Sequence, residues 1–249
     1  YLEAAVGIAD TLARHAQALD DQGVRVRARV EEGLIAETIL QMAAVLTYGA
    51  SVPVKVVSKI AQTPSLYVRR MHIVVDKNPS PLAAVIDLTT EAGQADFETR
   101  LRVDEYSHVR VVSELSNGEL HTDSRYVKTS GGCSAPPNRD ALHLIGKTLF
   151  KLPAGATMNA PTTADVTVVH PNDTGFELNN VTVMFIPPHF VRSIKVSFAG
   201  KKIFDADLDF SVSENPTLRF NFVPRTSGEL RAEVTDSKEA QFVGTLRVG

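Results

Sequence analysis

The residue best placed to do chemistry is Cys133. It is the only cysteine among the 249 residues, and it stands in the run Thr129-Ser130-Gly131-Gly132-Cys133-Ser134-Ala135-Pro136-Pro137. Only the thiolate attacks, and an unperturbed thiol with pKa about 8.5 is roughly 3% ionised at pH 7. Such a sulfur forms and exchanges S–S bonds through mixed disulfides without a metal. Arg125, Lys128 and Arg139 are near in sequence, where positive charge would raise the thiolate fraction. Gly131 and Gly132 free the backbone, Ser134 continues the small-residue run, and Pro136-Pro137 stiffens the chain beyond it. No large apolar side chain flanks the sulfur, so the pattern predicts an exposed Cys133 on a flexible arm of Gly131, Gly132 and Ser134. Residues 129–137, fully extended, reach on the order of 30 Å. The competing reading of a lone cysteine is a small buried apolar filler.

Nothing else in the chain reads as a catalytic set. One cysteine excludes an internal disulfide framework and any multi-cysteine metal site. The seven histidines, His15, His72, His108, His121, His143, His170 and His189, show no HExxH or His-x-x-x-His spacing, so no metal site is expected. His170-Pro171 and Pro187-Pro188-His189 read as loop or hydrogen-bonding histidines. Asp205, Asp207 and Asp209 alternate and would share one face of a strand, which is the ordinary pattern of a solvated edge. There is no Gly-x-Ser-x-Gly elbow, P-loop or dinucleotide fingerprint, and no cofactor is expected.

The elements that must position Cys133 are mostly strands. Leu2, Ala5, Val6, Ala9, Leu12, Ala13, Ala16 and Leu19 recur at helical spacing and predict an N-terminal helix over 1–22. Val24, Val26, Ala28 and Val30 alternate with arginines as a half-exposed strand does, and residues 34–47 fit helix or strand equally. From Ser51 onward, short β-branched and aromatic runs are punctuated by Pro, Gly and Asn. They predict strands at 52–60, 67–75, 83–89, 97–103, 109–115 and 120–127, with an Asn117-Gly118 hairpin between the last two. A second block predicts strands at 165–169, 182–186, 191–198, 202–204, 218–223, 230–234 and 242–248, with a short helix possible at 140–150. Asn78-Pro79 and Asn215-Pro216 are a faint echo between the blocks. Short strands at about ten-residue spacing argue for antiparallel sandwiches over a parallel sheet.

Composition narrows the partners. A net charge of −3, with no basic block longer than Arg69-Arg70 or Lys201-Lys202, disfavours nucleic acid. No apolar run approaches the roughly 18–20 residues of a membrane helix.

Several motifs resemble those of fused SoxY–SoxZ carriers, specifically the SoxYZ-like proteins associated with quinoprotein dehydrogenases. The SoxY-like set is Ser51-Val52-Pro53-Val54, Tyr67-Val68 through Asn78-Pro79-Ser80-Pro81, Thr99-Arg100-Leu101-Arg102 and Gly131-Gly132-Cys133. The SoxZ-like set is His170-Pro171-Asn172-Asp173-Thr174-Gly175, Ile186-Pro187-Pro188-His189-Phe190-Val191, Ser213-Glu214-Asn215-Pro216, Leu218-Arg219-Phe220 and Gly228-Glu229-Leu230. The resemblance covers about 48–249 and implies two immunoglobulin-like antiparallel β-sandwich domains. It also implies a periplasmic location and a carrier cysteine that holds sulfur intermediates. In SoxY the cysteine arm ends the chain; here it is internal, and Ser134-Ala135-Pro136 replaces trailing glycines.

The expected organisation is an N-terminal helical and strand segment over 1–33 and a SoxY-like sandwich over 34–133. A linker over 134–163 and a SoxZ-like sandwich over 164–249 complete it. The expected function is a non-enzymatic covalent carrier that presents cargo on Cys133 to periplasmic redox enzymes, of Sox type or a quinoprotein dehydrogenase or its cytochrome. The alternative is a noncatalytic assembly partner of such a dehydrogenase, with Cys133 incidental.

Overall fold

The computed structural model describes residues 38–42 and 49–249. The helix expected over 1–22 and the strand over 24–30 lie outside the described residues. Among those described, the first half contributes β1 (Thr38–Met42), β2 (Val52–Ser58), β3 (Val68–Val75), β4 (Leu82–Leu88), β5 (Phe97–Leu101), β6 (Ser107–Leu115) and β7 (Leu120–Val127). The second half contributes β8 (Thr148–Lys151), β9 (Thr162–Val168), β10 (Val191–Phe198), β11 (Lys201–Leu208), β12 (Thr217–Phe222), β13 (Gly228–Asp236) and β14 (Gln241–Val248). The alternation that predicts these strands also sets their faces: in β6, Ser107, Val109, Val111, Ser113 and Leu115 point inward, and the residues between them are only partly buried.

All pairing is antiparallel, in two sheets of order β1-β2-β5-β12-β9-β8 and β14-β13-β10-β11-β4-β3-β6-β7. Each strand of the first half has a counterpart seven strands later at the mirrored place in the same sheet. Each half thus supplies three strands to one sheet and four to the other, as in a seven-stranded immunoglobulin-like sandwich. The Asn-Pro echo is not a trace of this duplication. Asn78-Pro79 joins β3 to β4, whereas Asn215-Pro216 joins β11 to β12, which is not the equivalent connection.

The halves meet edge to edge. β4 and β11 pair from Leu88↔Phe204 to Ala84↔Leu208, and β5 meets β12 at Phe97↔Phe220 and Glu98↔Arg219. One hydrophobic core runs through both. Its middle is aromatic: the Phe204 ring lies 5.7 Å from Phe97 and 5.0 Å from Phe220, centroid to centroid. Truncating fully buried Phe204 to Ala should cost about 3–5 kcal/mol, and both halves would lose packing together.

Three local expectations need correction. The stretch expected as a linker over 134–163 contains β8, an edge strand that pairs with β9 from Thr148↔Val168 to Lys151↔Asp165. Thr148-Leu149-Phe150-Lys151 is too short a run to stand out from the Pro- and Gly-containing residues around it. The expected helix at 140–150 is a single 3-10 turn over Leu142–Leu144. The expected strand at 182–186 is a tight turn with one bridge, Leu178↔Phe185, because the Asn179 carboxamide captures the N–H groups of Val181 and Thr182. The Asn117-Gly118 hairpin forms through residues 116–119, with Gly118 at φ 88° and Asn117 not at positive φ, so the turn differs from the type I′ turn that Asn-Gly favours.

Candidate functional site

After β7 the chain crosses the junction between the halves, and the residues that anchor it come from both. Gly131 N–H donates to Asp104 O at 2.8 Å and Gly132 N–H to Val103 O at 2.9 Å. Cys133 N–H lies 3.4 Å from Asp104 Oδ1, and from the second half Thr174 Oγ1 donates to Cys133 O at 2.5 Å. Arg102 completes the clasp, with Nη1 donating to Gly132 O (3.0 Å) and Ala135 O (3.2 Å), and Nη2 to Asn172 O (3.4 Å).

The two glycines serve this docking in different ways. Gly131 adopts φ 73°, a left-handed conformation that side chains disfavour. At Gly132 a Cβ would sit 2.2 Å from Gly49 O and 2.6 Å from Val103 O, so only glycine lets the backbones approach this closely. The sequence predicts an exposed arm; the structure instead seats Gly132 and Cys133 in a crevice, Cys133 being only 1% exposed. Gly131 and Ser134 lie exposed at its rim. The absence of flanking apolar residues misleads because the burying atoms are backbone and distant side chains.

Burial, with the negative charge of Asp104 and a smaller contribution from Asp209, pushes the Cys133 thiol up to about 12, against the pull of Arg102. Thiolate at pH 7 is then on the order of one molecule in a hundred thousand, so the closed crevice holds an inert thiol. The cation beside the sulfur is Arg102, itself 1% exposed. Arg125 instead pairs with Asp123, and Arg139 with Asp173 (2.7 Å) and Glu177 (2.9 Å). Proximity in sequence picked the wrong arginines. The usable signal for Arg102 was its place in Thr99-Arg100-Leu101-Arg102, where a charged residue succeeds the buried end of β5.

Asn78 and Asn172 brace the clasp. Asn78 Nδ2 donates to Arg102 O (2.8 Å) and to Ser211 Oγ (3.0 Å), and its Oδ1 accepts from Asp104 N–H (2.9 Å). Asn172, fully buried, accepts Val191 N–H on Oδ1 and donates through Nδ2 to Val212 O. Of the three alternating aspartates, Asp205 pairs with Lys202, Asp207 is exposed, and Asp209, past the end of β11, is the one near the sulfur. Burial holds the Asp209 carboxyl above its ordinary range.

Beside the crevice, buried His170 and Asp236 and half-buried His189 form a trio whose ligating atoms lie within 4.8 Å of one another. His189 Nε2 and Asp236 Oδ2 are 2.8 Å apart. His170 Nδ1 accepts the Asn172 N–H at 3.0 Å, which leaves the ring proton on Nε2, the nitrogen facing the trio. That proton opposes a cation there, so the trio reads as a hydrogen-bonding support. Burial, then the neighbouring His189 charge, pushes His170 down to about 4. Its link to Cys133 runs through Asn172, whose N–H it holds and whose carbonyl Arg102 holds.

Residues 24–133 match the family model of the sulfur oxidation protein SoxY, and residues 150–247 match that of the sulphur oxidation protein SoxZ. The chain is a SoxY domain and a SoxZ domain in tandem. The SoxY match ends on Cys133, and the clasp therefore draws Arg102, Val103 and Asp104 from the SoxY domain and Asn172 and Thr174 from the SoxZ domain. Among solved structures, the sulfur carrier protein SoxY from Chlorobium limicola f thiosulfatophilum is 19% identical, over 48% of this chain and 99% of that one, with TM-score 0.36. A putative superoxide reductase from Thermotoga maritima is 8% identical, over 43% of this chain and 95% of that one, with TM-score 0.36. The superoxide reductase (neelaredoxin) from Ignicoccus hospitalis is 9% identical, over 36% and 78% of the two chains, with TM-score 0.34. No curated protein matches the chain.

Proposed function

We infer that this SoxY–SoxZ chain is a covalent carrier that holds a sulfur intermediate on Cys133 and presents it to partner redox enzymes in the periplasm, and is not itself an enzyme. The observation that carries this reading is the coincidence of the SoxY match with the chain's only cysteine, at its last residue. The partners are redox enzymes of Sox type, or a quinoprotein dehydrogenase or its cytochrome.

In loading by thiosulfate, the thiol loses a proton and an S–S bond forms to the terminal sulfur. R–SH + S2O3²⁻ gives R–S–S–SO3⁻, H⁺ and two electrons, and the partner enzyme accepts the electrons. The clasp adds a gate to this chemistry. Reaction requires the 131–135 segment to leave the crevice, whereupon the thiol returns toward its ordinary pKa. Held closed, the crevice protects it from stray oxidants.

The burial of Cys133 favours a second reading, an assembly partner of a periplasmic dehydrogenase in which the cysteine is incidental. The two separate by intact mass spectrometry after incubation with thiosulfate and an oxidising partner enzyme. The carrier gains one adduct on Cys133 without denaturant, and Cys133→Ser abolishes partner-dependent turnover. Gain only after denaturation, with full function in Cys133→Ser, favours the assembly role.

A further inference from the structure

The turn that replaces the expected 182–186 strand displays a contiguous apolar tip. Val181 is 91% exposed, Val183 71%, Met184 68% and Phe185 64%. The tip is built, not frayed: Asn179 N–H donates to Met184 O at 2.9 Å, Val183 N–H to Asn179 O at 2.8 Å, and Ile186 N–H to Glu177 O at 2.9 Å. Val183 takes φ 54°, an outlying conformation for a β-branched residue. Scattered exposed aliphatic residues are ordinary, but several together on a projecting turn mark a contact surface.

Charge and position identify what this surface meets. Between Pro171 and Phe190 there is no Lys or Arg, and the acidic residues are Asp173 and Glu177. A turn that dips into an anionic bilayer carries cations beside its apolar tip, and this segment carries none of its own. The base of the turn forms a wall of the crevice. Thr174 holds the Cys133 carbonyl, Glu177 holds Arg139, and the Phe176 ring sits 5.8 Å from Phe210, next to Asp209. A body seated on the tip therefore rests on the element whose base holds the Cys133 carbonyl.

We propose that residues 176–186 are the docking loop for the redox enzyme that loads Cys133, which receives Val181, Val183, Met184 and Phe185 in an apolar cleft beside its active site. The proposal rests on the carrier reading above. The loop supplies recognition, and the crevice next to it supplies chemistry.

The test uses Val181→Asp and Met184→Asp, singly and together, with Val243→Asp as an exposed control on β14. Tetrathionate loads the thiolate without an enzyme, because R–S⁻ attacks one inner sulfur and expels thiosulfate, giving R–S–S–SO3⁻ with no net electron transfer. A purified thiosulfate-oxidising cytochrome, supplied with thiosulfate, loads it enzymatically. Enzyme-dependent loading should fall about tenfold or more in the loop variants, while their tetrathionate rate and the Val243→Asp control stay at wild-type values. Binding of Cys133→Ser protein to the immobilised cytochrome should weaken by a similar factor when the loop substitutions are added. Undiminished loading and binding overturn the proposal. A wild-type dimer that the loop variants dissolve, or flotation with phosphatidylcholine–phosphatidylglycerol vesicles that they abolish, overturns it in favour of another occupant. If Cys133 loads by neither route, the carrier reading fails, and the binding arm still decides the docking loop.

Discussion

The crevice around Cys133 and the turn at 176–186 adjoin one another and obey opposite rules. In the crevice the backbone from Gly132 to Cys133 is bonded to side chains from both halves, and the reactive atom is hidden. On the turn the backbone is equally well bonded, yet the apolar side chains are displayed. The contrast teaches that a reactive group and a recognition surface place different demands on a fold. The first needs a closed state that can open; the second needs a fixed shape that water can reach.

The strongest attack on the contrast removes Arg102. Arg102→Ala strips three carbonyl oxygens of a charged donor, at about 1.5–3 kcal/mol for such bonds, and leaves a cavity as well. Cys133 alkylation in the folded protein should accelerate by roughly tenfold to hundredfold. An unchanged rate would show that the clasp does not hold the thiol.

Acid should loosen the same region. His170 is held neutral, with its pKa near 4 against the ordinary 6.5, so the unfolded chain binds more protons between those values. Its stabilising contribution is complete above about pH 6.5 and is lost as pH falls toward 4, a change of about 3 kcal/mol. Denaturant midpoints across this window check it, and His170→Asn should flatten the slope. At the alkaline end Cys133 acts in the reverse sense: its raised pKa makes stability fall as pH rises from about 9 toward 12.

Gly132→Ala forces a Cβ against two backbone carbonyls that cannot swing aside. We expect about 1–3 kcal/mol of destabilisation, concentrated on the clasp, with faster alkylation as its readout. Thr174→Val removes the hydrogen bond to Cys133 O and the one Oγ1 accepts from Phe176 N–H, for about 1–2 kcal/mol and a severalfold increase in alkylation rate. Met184→Asp, on the turn, should leave the thermal midpoint nearly unchanged, within about 0.5 kcal/mol. A large loss there would mean that the apolar tip is structural, and the contrast between the two regions would collapse.

How much of this is legible in the sequence depends on range. Alternating Val, Ile and Phe runs reveal most strands, and 191–198 and 120–127 match in both ends, because each strand writes its own face pattern. The seven-strand duplication is invisible there, since strand order across a sheet is set by partners far apart in the chain. Cys133 itself stands out by uniqueness and by its glycines. Its burial does not, because the wall against Gly132 is Gly49, far earlier in the chain, and the lid on its carbonyl is Thr174. The same glycines that suggest a loose arm are what let it pack tightly.

The measurement closest to the central claim is the intact mass of the folded protein after incubation with thiosulfate and an oxidising partner enzyme. The carrier account predicts one adduct, mapped to Cys133 and absent from Cys133→Ser. A native protein that stays at its starting mass, while its denatured form reacts readily with tetrathionate, would contradict it.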